Sequence, residues 1–402
     1  MGAHALLAPS SAKRWMTCTP SARLEADMPE KDTAYTREGT IAHAMAEAIL
    51  RDMLAQELST FPEAAEYLTS RSGVVLMEFC RTADREGLDW KEMAETVYDH
   101  YVRPVYEAYL GAKLEDPDAE LLIEARLRLA EFIPEGFGSS DAVLIYGKTL
   151  EVFDLKYGKG VKVEAEQNAQ MLCYALGAYC GPAEAYDIEN VHMTIIQPRL
   201  RHESTWAVTS EALMEWAHER LRPAALLAFE GKGEQKPGEH CRFCKVAAKC
   251  RALADYTLRV TEEPKEPGVM TLDEIAQLLP HFATIKSWIS AVEKYALAAA
   301  LEGDTVPGFK VVEGRSIRKL SNVSTALNRL ADAGIEPESY LKPRELKTIT
   351  ELEKTLTKKG FTAILGDLVI KPEGKPTLVE DSDPRQPYSK AKTDFAEIIE
   401  NL

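Results

Sequence analysis

Two acidic residues and a lysine lie at the ends of neighbouring apolar runs. Gly138-Ser139-Ser140-Asp141-Ala142-Val143-Leu144-Ile145-Tyr146 is followed, after a turn, by Leu150-Glu151-Val152-Phe153-Asp154-Leu155-Lys156. A carboxylate opens the first apolar run, and the second closes on a carboxylate with a lysine two residues later. Side chains alternate faces along a strand, so Asp154 and Lys156 point the same way while Leu155 faces the core. Two acids and an amine converging at a sheet edge can hold a divalent cation and stabilise an attacking hydroxide. That is the chemistry of metal-dependent phosphodiester hydrolysis.

Further along, Gln170 and Tyr174 stand four apart in an apolar run with helical spacing, so one helix face can aim both at Lys156. Upstream, Gly39-Thr40-Ile41-Ala42-His43 supplies an imidazole, a common metal ligand. Each piece also has a plainer reading. Aspartate is frequent at strand ends and turns. His43 could partner Glu47 one helical turn on, and Gln170 and Tyr174 could pack or cap locally. An acid two residues before a lysine arises by chance in most proteins, whereas four pieces in one order over residues 39–174 form a pattern.

That pattern, G-T-x-x-H, then Asp141, then Asp154-x-Lys156, then Q-x-x-x-Y, resembles the RecB-like branch of the PD-(D/E)XK nuclease superfamily. The resemblance implies an α/β fold with a PD-(D/E)XK nuclease core, a small mixed sheet flanked by helices. It implies a Mg2+ or Mn2+ ion held by His43, Asp141, Asp154 and the Leu155 carbonyl, where it activates water and polarises the scissile phosphate. Asp141, Asp154, Lys156, Gln170 and Tyr174 would form the catalytic set. Lys156 would orient the water or stabilise charge growing on phosphorus, and Gln170 and Tyr174 would position Lys156 and its strand.

Cysteine forms a second constellation. Seven cysteines in 402 residues do not suggest a disulfide scaffold, and residues 1–8 lack the charge and length of a signal peptide. No apolar run approaches membrane-spanning length. The expected compartment is therefore a reducing cytoplasm, where clustered cysteines point to metal. The cluster is Cys241-Arg242-Phe243-Cys244, then Cys250, and three thiolates leave a four-ligand site incomplete. Cys18 is the candidate fourth ligand, with His240 an alternative. A lone upstream cysteine, an intervening core and three clustered cysteines resemble the iron-sulfur staple of certain RecB-like nucleases, among them the AddB subunit of break-repair enzymes and small CRISPR-adaptation nucleases. That resemblance implies a 4Fe-4S cluster on Cys18, Cys241, Cys244 and Cys250, acting as a structural clip. Four thiolates also suit tetrahedral zinc, although zinc more usually pairs two C-x2-C knuckles. Cys80, Cys173 and Cys180 lie in apolar runs and read as core thiols.

Composition frames the rest. With 45% hydrophobic and 28% charged residues the chain reads as an ordinary globular protein of two or three domains. A net charge of -16 argues against a surface coated for indiscriminate nucleic-acid binding, yet leaves room for one positive channel. Candidate cations are Lys156, Lys159, Lys162, Arg199, Arg201, Arg242, Lys245, Lys249 and Arg251, with Arg315, Arg318, Lys319, Lys342, Arg344 and Lys347 downstream. For all but Lys156 the plainer reading is a solvated face.

Three parts follow from the patterning. Residues 1–110 read as a mainly helical N-terminal part carrying Cys18 and His43, with helices over Thr40–Leu58 and Asp89–Tyr109. Residues 111–262 read as the nuclease core and cysteine loop. Strands are expected at Leu121–Leu129, Ala142–Tyr146, Leu150–Leu155, Val191–Gln197 and Thr205–Val208, a helix over 164–180, and a helix Ser210–Glu230 capped by Ser210. Glu124 in the first strand could contribute a further carboxylate, although a solvent-facing acid is the plainer reading. After the Pro-rich linker Glu262–Gly268, residues 263–402 read as an α+β C-terminal extension. Here a helical stretch 271–301 should break at Pro280 and pack through Leu272, Ile275, Leu278 and Leu279, and Gly308–Leu320 should form a hairpin. Short helices are expected at Val323–Ala333 and Ile349–Lys359, a strand at Leu368–Lys371, and a polar tail from Pro384 with one terminal helix. The whole chain, through Gly374-Lys375-Pro376 and Asp381–Arg385, is similar to phage and prophage proteins proposed as recombination exonucleases. The expectation is a metal-dependent DNA exonuclease of a bacterial host cytoplasm, with DNA as substrate, a single-strand annealing protein as partner and no membrane. Its rivals are a non-catalytic DNA-binding or assembly protein on the same scaffold and a zinc-bound interaction protein.

Overall fold

The computed structural model describes residues 5–29, 33–60, 79, 82–83, 86–160, 162–262, 271–314, 318–342, 345–370, 376–380 and 386–387. Cys80, Arg315, Arg344, the linker after Glu262, Asp381–Arg385 and the terminal helix expected in the tail lie outside them. Two units divide the chain, Met1–Trp288 and Ile289–Leu402.

The first unit is an α/β sandwich built from α1 (Ala12–Thr17), α2 (Ala34–Ala55), α3 (Trp90–Val97), α4 (Arg103–Glu115) and α5 (Ala169–Tyr179) around one sheet. Its strands are β1 (Glu120–Arg128), β2 (Phe137–Tyr146), β3 (Thr149–Leu155), β4 (Asn190–Gln197) and β5 (His202–Thr209), in that spatial order. Neighbours are antiparallel except β3 and β4, which are parallel. A parallel pair needs a crossover, and α5 supplies it.

Both faces of the sheet are covered, so its central strands are apolar on both sides. On one face Val143, Ile145, Leu150 and Val152 pack with Met171, Ala175 and Leu176 of α5 and Trp15 of α1. On the other, Ala142, Leu144, Phe153 and Leu155 pack with Ile41, Met45 and Ile49 of α2 and with Val97, Tyr101 and Val105. Each such side chain, fully buried, contributes about 1.5–3 kcal/mol. Local signals set the helix starts. Thr33 and Thr36 form a reciprocal capping box before α2, and Asn168 Oδ1 accepts the Gln170 and Met171 amides at the start of α5. Between α3 and α4 the helix widens into a π turn, Tyr98–Val102, closed by the Arg103 amide on the Tyr98 carbonyl.

Several sequence expectations need correction. Thr209, not Ser210, caps the helix after β5: its hydroxyl accepts the Ala212 amide while Ser210 is buried. That helix also widens, at Ala217–Leu221. The helix Leu272–Glu302 runs through Pro280, which removes one interior donor without ending the helix. Its Leu272, Ile275 and Leu279 are exposed. In the second unit, Gly308–Leu320 is no hairpin: Phe309–Glu313 pairs with Pro376–Glu380, and Lys319–Leu320 with Val369–Ile370. These partners are distant in sequence, and local turn signals carry no information about them. Around Leu330, Leu352, Phe361 and Leu365 this unit has a small core of its own. Among the described residues no helix is long and apolar enough to cross a membrane.

Candidate active site

The β-sheet register determines where the acids stand. Asp141 immediately precedes Ala142, whose partner in β3 is Phe153, so continuing that register by one position sets Asp141 against Asp154. On its other side it falls between the Ile123–Ala142 and Ala125–Ser140 pairs, opposite Glu124 of β1. Three carboxylates thus form a row across three strands. Like charges directly opposite one another destabilise a sheet, so this row must be compensated. Glu124 adopts a left-handed φ of 52°, rare for a residue with a side chain. There β1 changes allegiance: Leu121 and Ile123 join the α2-side core, Ala125 and Leu127 the α5-side core.

The compensation comes from four elements. His43 of α2 places Nδ1 2.9 Å from Asp141 Oδ1, which leaves Nε2 turned away from that carboxylate. The Leu155 amide donates to Asp141 Oδ2 at 2.7 Å. Lys156 Nζ lies 2.8 Å from Asp154 Oδ2 and donates to Asp154 Oδ1 at 3.2 Å and to Gln170 Oε1 at 3.0 Å. An ammonium only donates, so the Gln170 carbonyl must face it. Gln170 Nε2 then donates to Tyr174 Oη at 2.9 Å and reaches Asp154 Oδ1 at 3.3 Å. Ser139 Oγ donates to Glu124 at 2.6 Å. Residues separated by over a hundred positions therefore meet at one place. Leu155, expected to lend its carbonyl, is seen here using its amide.

Burial and charge move the protonation equilibria. Asp154 is 2% exposed, and burial pushes its carboxyl above the usual range, against the pull of Lys156 and with the push of Asp141. Burial pulls His43 down, but its hydrogen bond to Asp141 and the charges of Asp141 and Asp154 outweigh that and raise it. Burial also raises Glu124, as do Asp141 and Glu47. Asp154 Oδ2 has the ammonium beside it yet no directed hydrogen bond. A buried carboxylate in an acid row suits a hard cation with oxygen ligands. Among the described residues no three His, Cys, Asp or Glu side chains form a ready-made metal cage.

The cysteines share a cavity without forming a ready-made metal cage among the described residues. Cys18, Cys241, Cys244 and Cys250 line one cavity together with His240 and Arg14. The N-terminal segment is tied to that loop independently of sulfur: Arg14 donates to the Phe243 carbonyl at 3.1 Å, Thr19 to Lys232 at 2.6 Å, and Glu25 accepts the Lys245 amide. Burial raises the thiol of Cys241 and pushes Cys244 up to about 12, the latter helped by Glu25. His240 Nε2 is engaged by the Lys236 carbonyl at 2.9 Å. Cys173 is buried and Cys180 half-buried within core packing.

Other expectations resolve less simply. Arg199 is no free cation: it pairs with Glu38 at 2.6 Å and stacks over Tyr157, locking α2 to the strand end that carries Lys156. Lys159, Lys162, Arg201, Arg242 and Arg251 are exposed, and Arg318 pairs with Glu353. Of two further residues near the site, Glu124 was weighed in the sequence as a further carboxylate but read as solvent-facing, and Tyr101 was not singled out. Glu124 is half-buried in the acid row, because the strand distortion overrides its solvent-facing place in the alternation. Tyr101 is fully buried near the acids, and nothing in its local sequence distinguishes it from a core tyrosine.

The family described as "Protein of unknown function (DUF2800)" matches residues 4–386, so the chain belongs to that family. Among solved structures it is similar to the one titled "Crystal structure of SSO0001", at 12% identity over 50% of this chain and 94% of that one. The TM-score is 0.22, too loose to bear any inference.

Proposed function

We propose that this member of the DUF2800 family is a metal-dependent DNA exonuclease of RecB-like PD-(D/E)XK type. One observation carries the proposal: Lys156 Nζ lies between the Asp154 carboxylate and the Gln170 carbonyl, with Asp141 in the adjacent position of the same row. A divalent cation bound by His43, Asp141, Asp154 and the Leu155 carbonyl would supply Lewis acidity toward water and phosphate. Lys156 holds positive charge where negative charge grows on the phosphate, and its fixed donors can orient the incoming water. Gln170 prevents Lys156 from collapsing wholly onto Asp154, and Tyr174 fixes the Gln170 amide. His43 orients Asp141 through its Nδ1 contact with Oδ1.

The four cysteines fit a 4Fe-4S clip in donor type and in sharing one cavity, and such a clip would tie the N-terminus to the segment after β5. Visible absorbance and iron content of anaerobically purified protein test it, with zinc as the contrary result. The activity is tested with end-labelled linear DNA and a covalently closed circle in Mn2+. Degradation of the linear substrate with survival of the circle is expected for a recombination exonuclease working beside an annealing protein. Linearised plasmid would mean an endonuclease, and inert DNA under both conditions would overturn the reading.

A further inference from the structure

Three arginines, none of them singled out by the sequence pattern, meet in one groove. Arg51 of α2 and Arg126 and Arg128 of β1 line a cavity of about 860 Å3, with Leu54, Leu122 and Pro182 among its apolar walls. Among the described residues none that lines it is acidic, in a chain whose net charge is -16. Strand geometry explains the grouping. Ala125 and Leu127 turn into the α5-side core, so by alternation Arg126 and Arg128 take the opposite face, where Arg51 and Leu54 stand. Among the described residues β1 is also the edge strand of its sheet.

The guanidinium groups keep donors to spare. Arg126 is exposed and pairs with no carboxylate among the described residues. Arg51 Nε donates to Glu47 at 3.0 Å and its Nη2 to the Ile123 carbonyl at 3.1 Å, while Arg128 pairs with Glu184. Each guanidinium carries five donors, so both retain some for a further acceptor. The groove also reaches the acid row, because Ile123 and Ala125 line it and flank Glu124. Arg126 stands two residues beyond Glu124, about 7 Å along the strand. Arg51 stands eight residues beyond His43, about 12 Å along α2.

Arg126 and Arg128 repeat at about 7 Å, the scale on which neighbouring phosphates of an extended nucleic-acid strand repeat. The apolar walls discriminate between forms of DNA. A duplex keeps its base faces inside its own stack and would leave Leu54, Leu122 and Pro182 against water. An unpaired strand offers phosphates to the arginines and base faces to the apolar walls and guanidinium planes. We propose that this groove is the track of a single DNA strand, with Arg51, Arg126 and Arg128 on its phosphates, leading it past Glu124 to the acid row. The proposal rests on the nuclease reading above and names the form of its substrate.

Fluorescence anisotropy of labelled oligothymidylate with the purified full-length protein, without added Mn2+ and across a salt series, tests it. Arg126→Ala should flatten the dependence of log affinity on log salt by about 0.7, and Arg126→Ala combined with Arg128→Ala by about 1.4. Affinity should fall alike on other base sequences, with Tm unchanged. Arg251→Ala, which removes an exposed cation beside Cys250, should keep the wild-type slope and affinity. An unchanged slope in the double variant, with Mn2+-dependent hydrolysis intact, would overturn the track and leave the nuclease standing. A duplex held more tightly through the same arginines would overturn the single-strand assignment. Poly-glutamate held more tightly through them than DNA would make the occupant an acidic protein segment and overturn the proposal. Wild-type protein that neither binds nor cleaves DNA would overturn both the track and the nuclease reading.

Discussion

Lys156 is held by two oxygens of different kinds, a carboxylate it neutralises and an amide carbonyl that only orients it. Removing either end should have different consequences. Asp154→Asn or Lys156→Ala should reduce DNA hydrolysis by about a hundredfold or more while the circular dichroism spectrum is unchanged. Gln170→Ala, acting through Lys156, should lose about ten- to a hundredfold. Near wild-type turnover in Lys156→Ala would remove the basis of the proposed activity. His43 gives a pH prediction with a definite sign. Its folded pKa is raised, so the stability it gains from Asp141 is complete below the ordinary histidine value and is lost as pH rises through the raised one. In metal-free buffer, the difference in urea midpoint between wild type and His43→Ala should be larger near about pH 6 than near about pH 9. A gap that widened toward alkaline pH would contradict the assignment. The residue types of this site were legible in the sequence because spacing within a strand or helix maps directly onto a face. Glu124 was legible as a candidate acid but not as a member of the row, which depends on a backbone distortion, and Tyr101 was not legible because its burial depends on packing between distant elements.

At the scale of elements, α5 carries Gln170 and Tyr174 and must lie close against β1 to present them. Gly177 is where that approach is tightest: an added Cβ would lie 2.7 Å from Leu127 Cβ, an atom fixed to its backbone. Gly177→Ala gains up to about 1 kcal/mol of helix propensity but incurs about 1–3 kcal/mol of overpacking. The clash should win, lowering the urea midpoint and, by displacing α5, lowering turnover as well. A stabilised variant would show that α5 has more room than its packing against Leu127 implies. The strands of the sheet were legible to within a few residues because apolar runs bounded by turns repeat locally. The pairing of Phe309–Glu313 with Pro376–Glu380 was not, since strand partners far apart leave no local mark.

At the scale of the molecule, Cys18 reaches partners over two hundred positions away. Closing so long a loop is the case in which a crosslink stabilises most in the chain-entropy picture, although measured gains are usually smaller. Cys18→Ser should therefore lose iron, lower Tm and expose residues before about position 40 to protease, as Cys241→Ser, Cys244→Ser and Cys250→Ser should. Cys173→Ser and Cys180→Ser should keep full iron. Hydrogen bonds from Arg14, Thr19 and Arg23 to the 229–243 segment persist without sulfur. The N-terminus should thus loosen rather than detach, and limited proteolysis would separate the two. An iron-replete Cys18→Ser protein would exclude Cys18 from the clip.

The sequence by itself determined the α/β class, the strand and helix carrying each acid, lysine, glutamine and tyrosine, and the presence of four suitably typed cysteines. These follow from periodicity and from chemistry that one or two turns of chain can express. Only the tertiary structure decided that three carboxylates form one row, that Arg199 locks a helix rather than facing solvent, and that Tyr101 is buried with its hydroxyl unpartnered. Each of those depends on strand register, a single left-handed residue or the packing of elements far apart in the chain. Distances of that kind are created by burial and pairing, and no local pattern of residues encodes them.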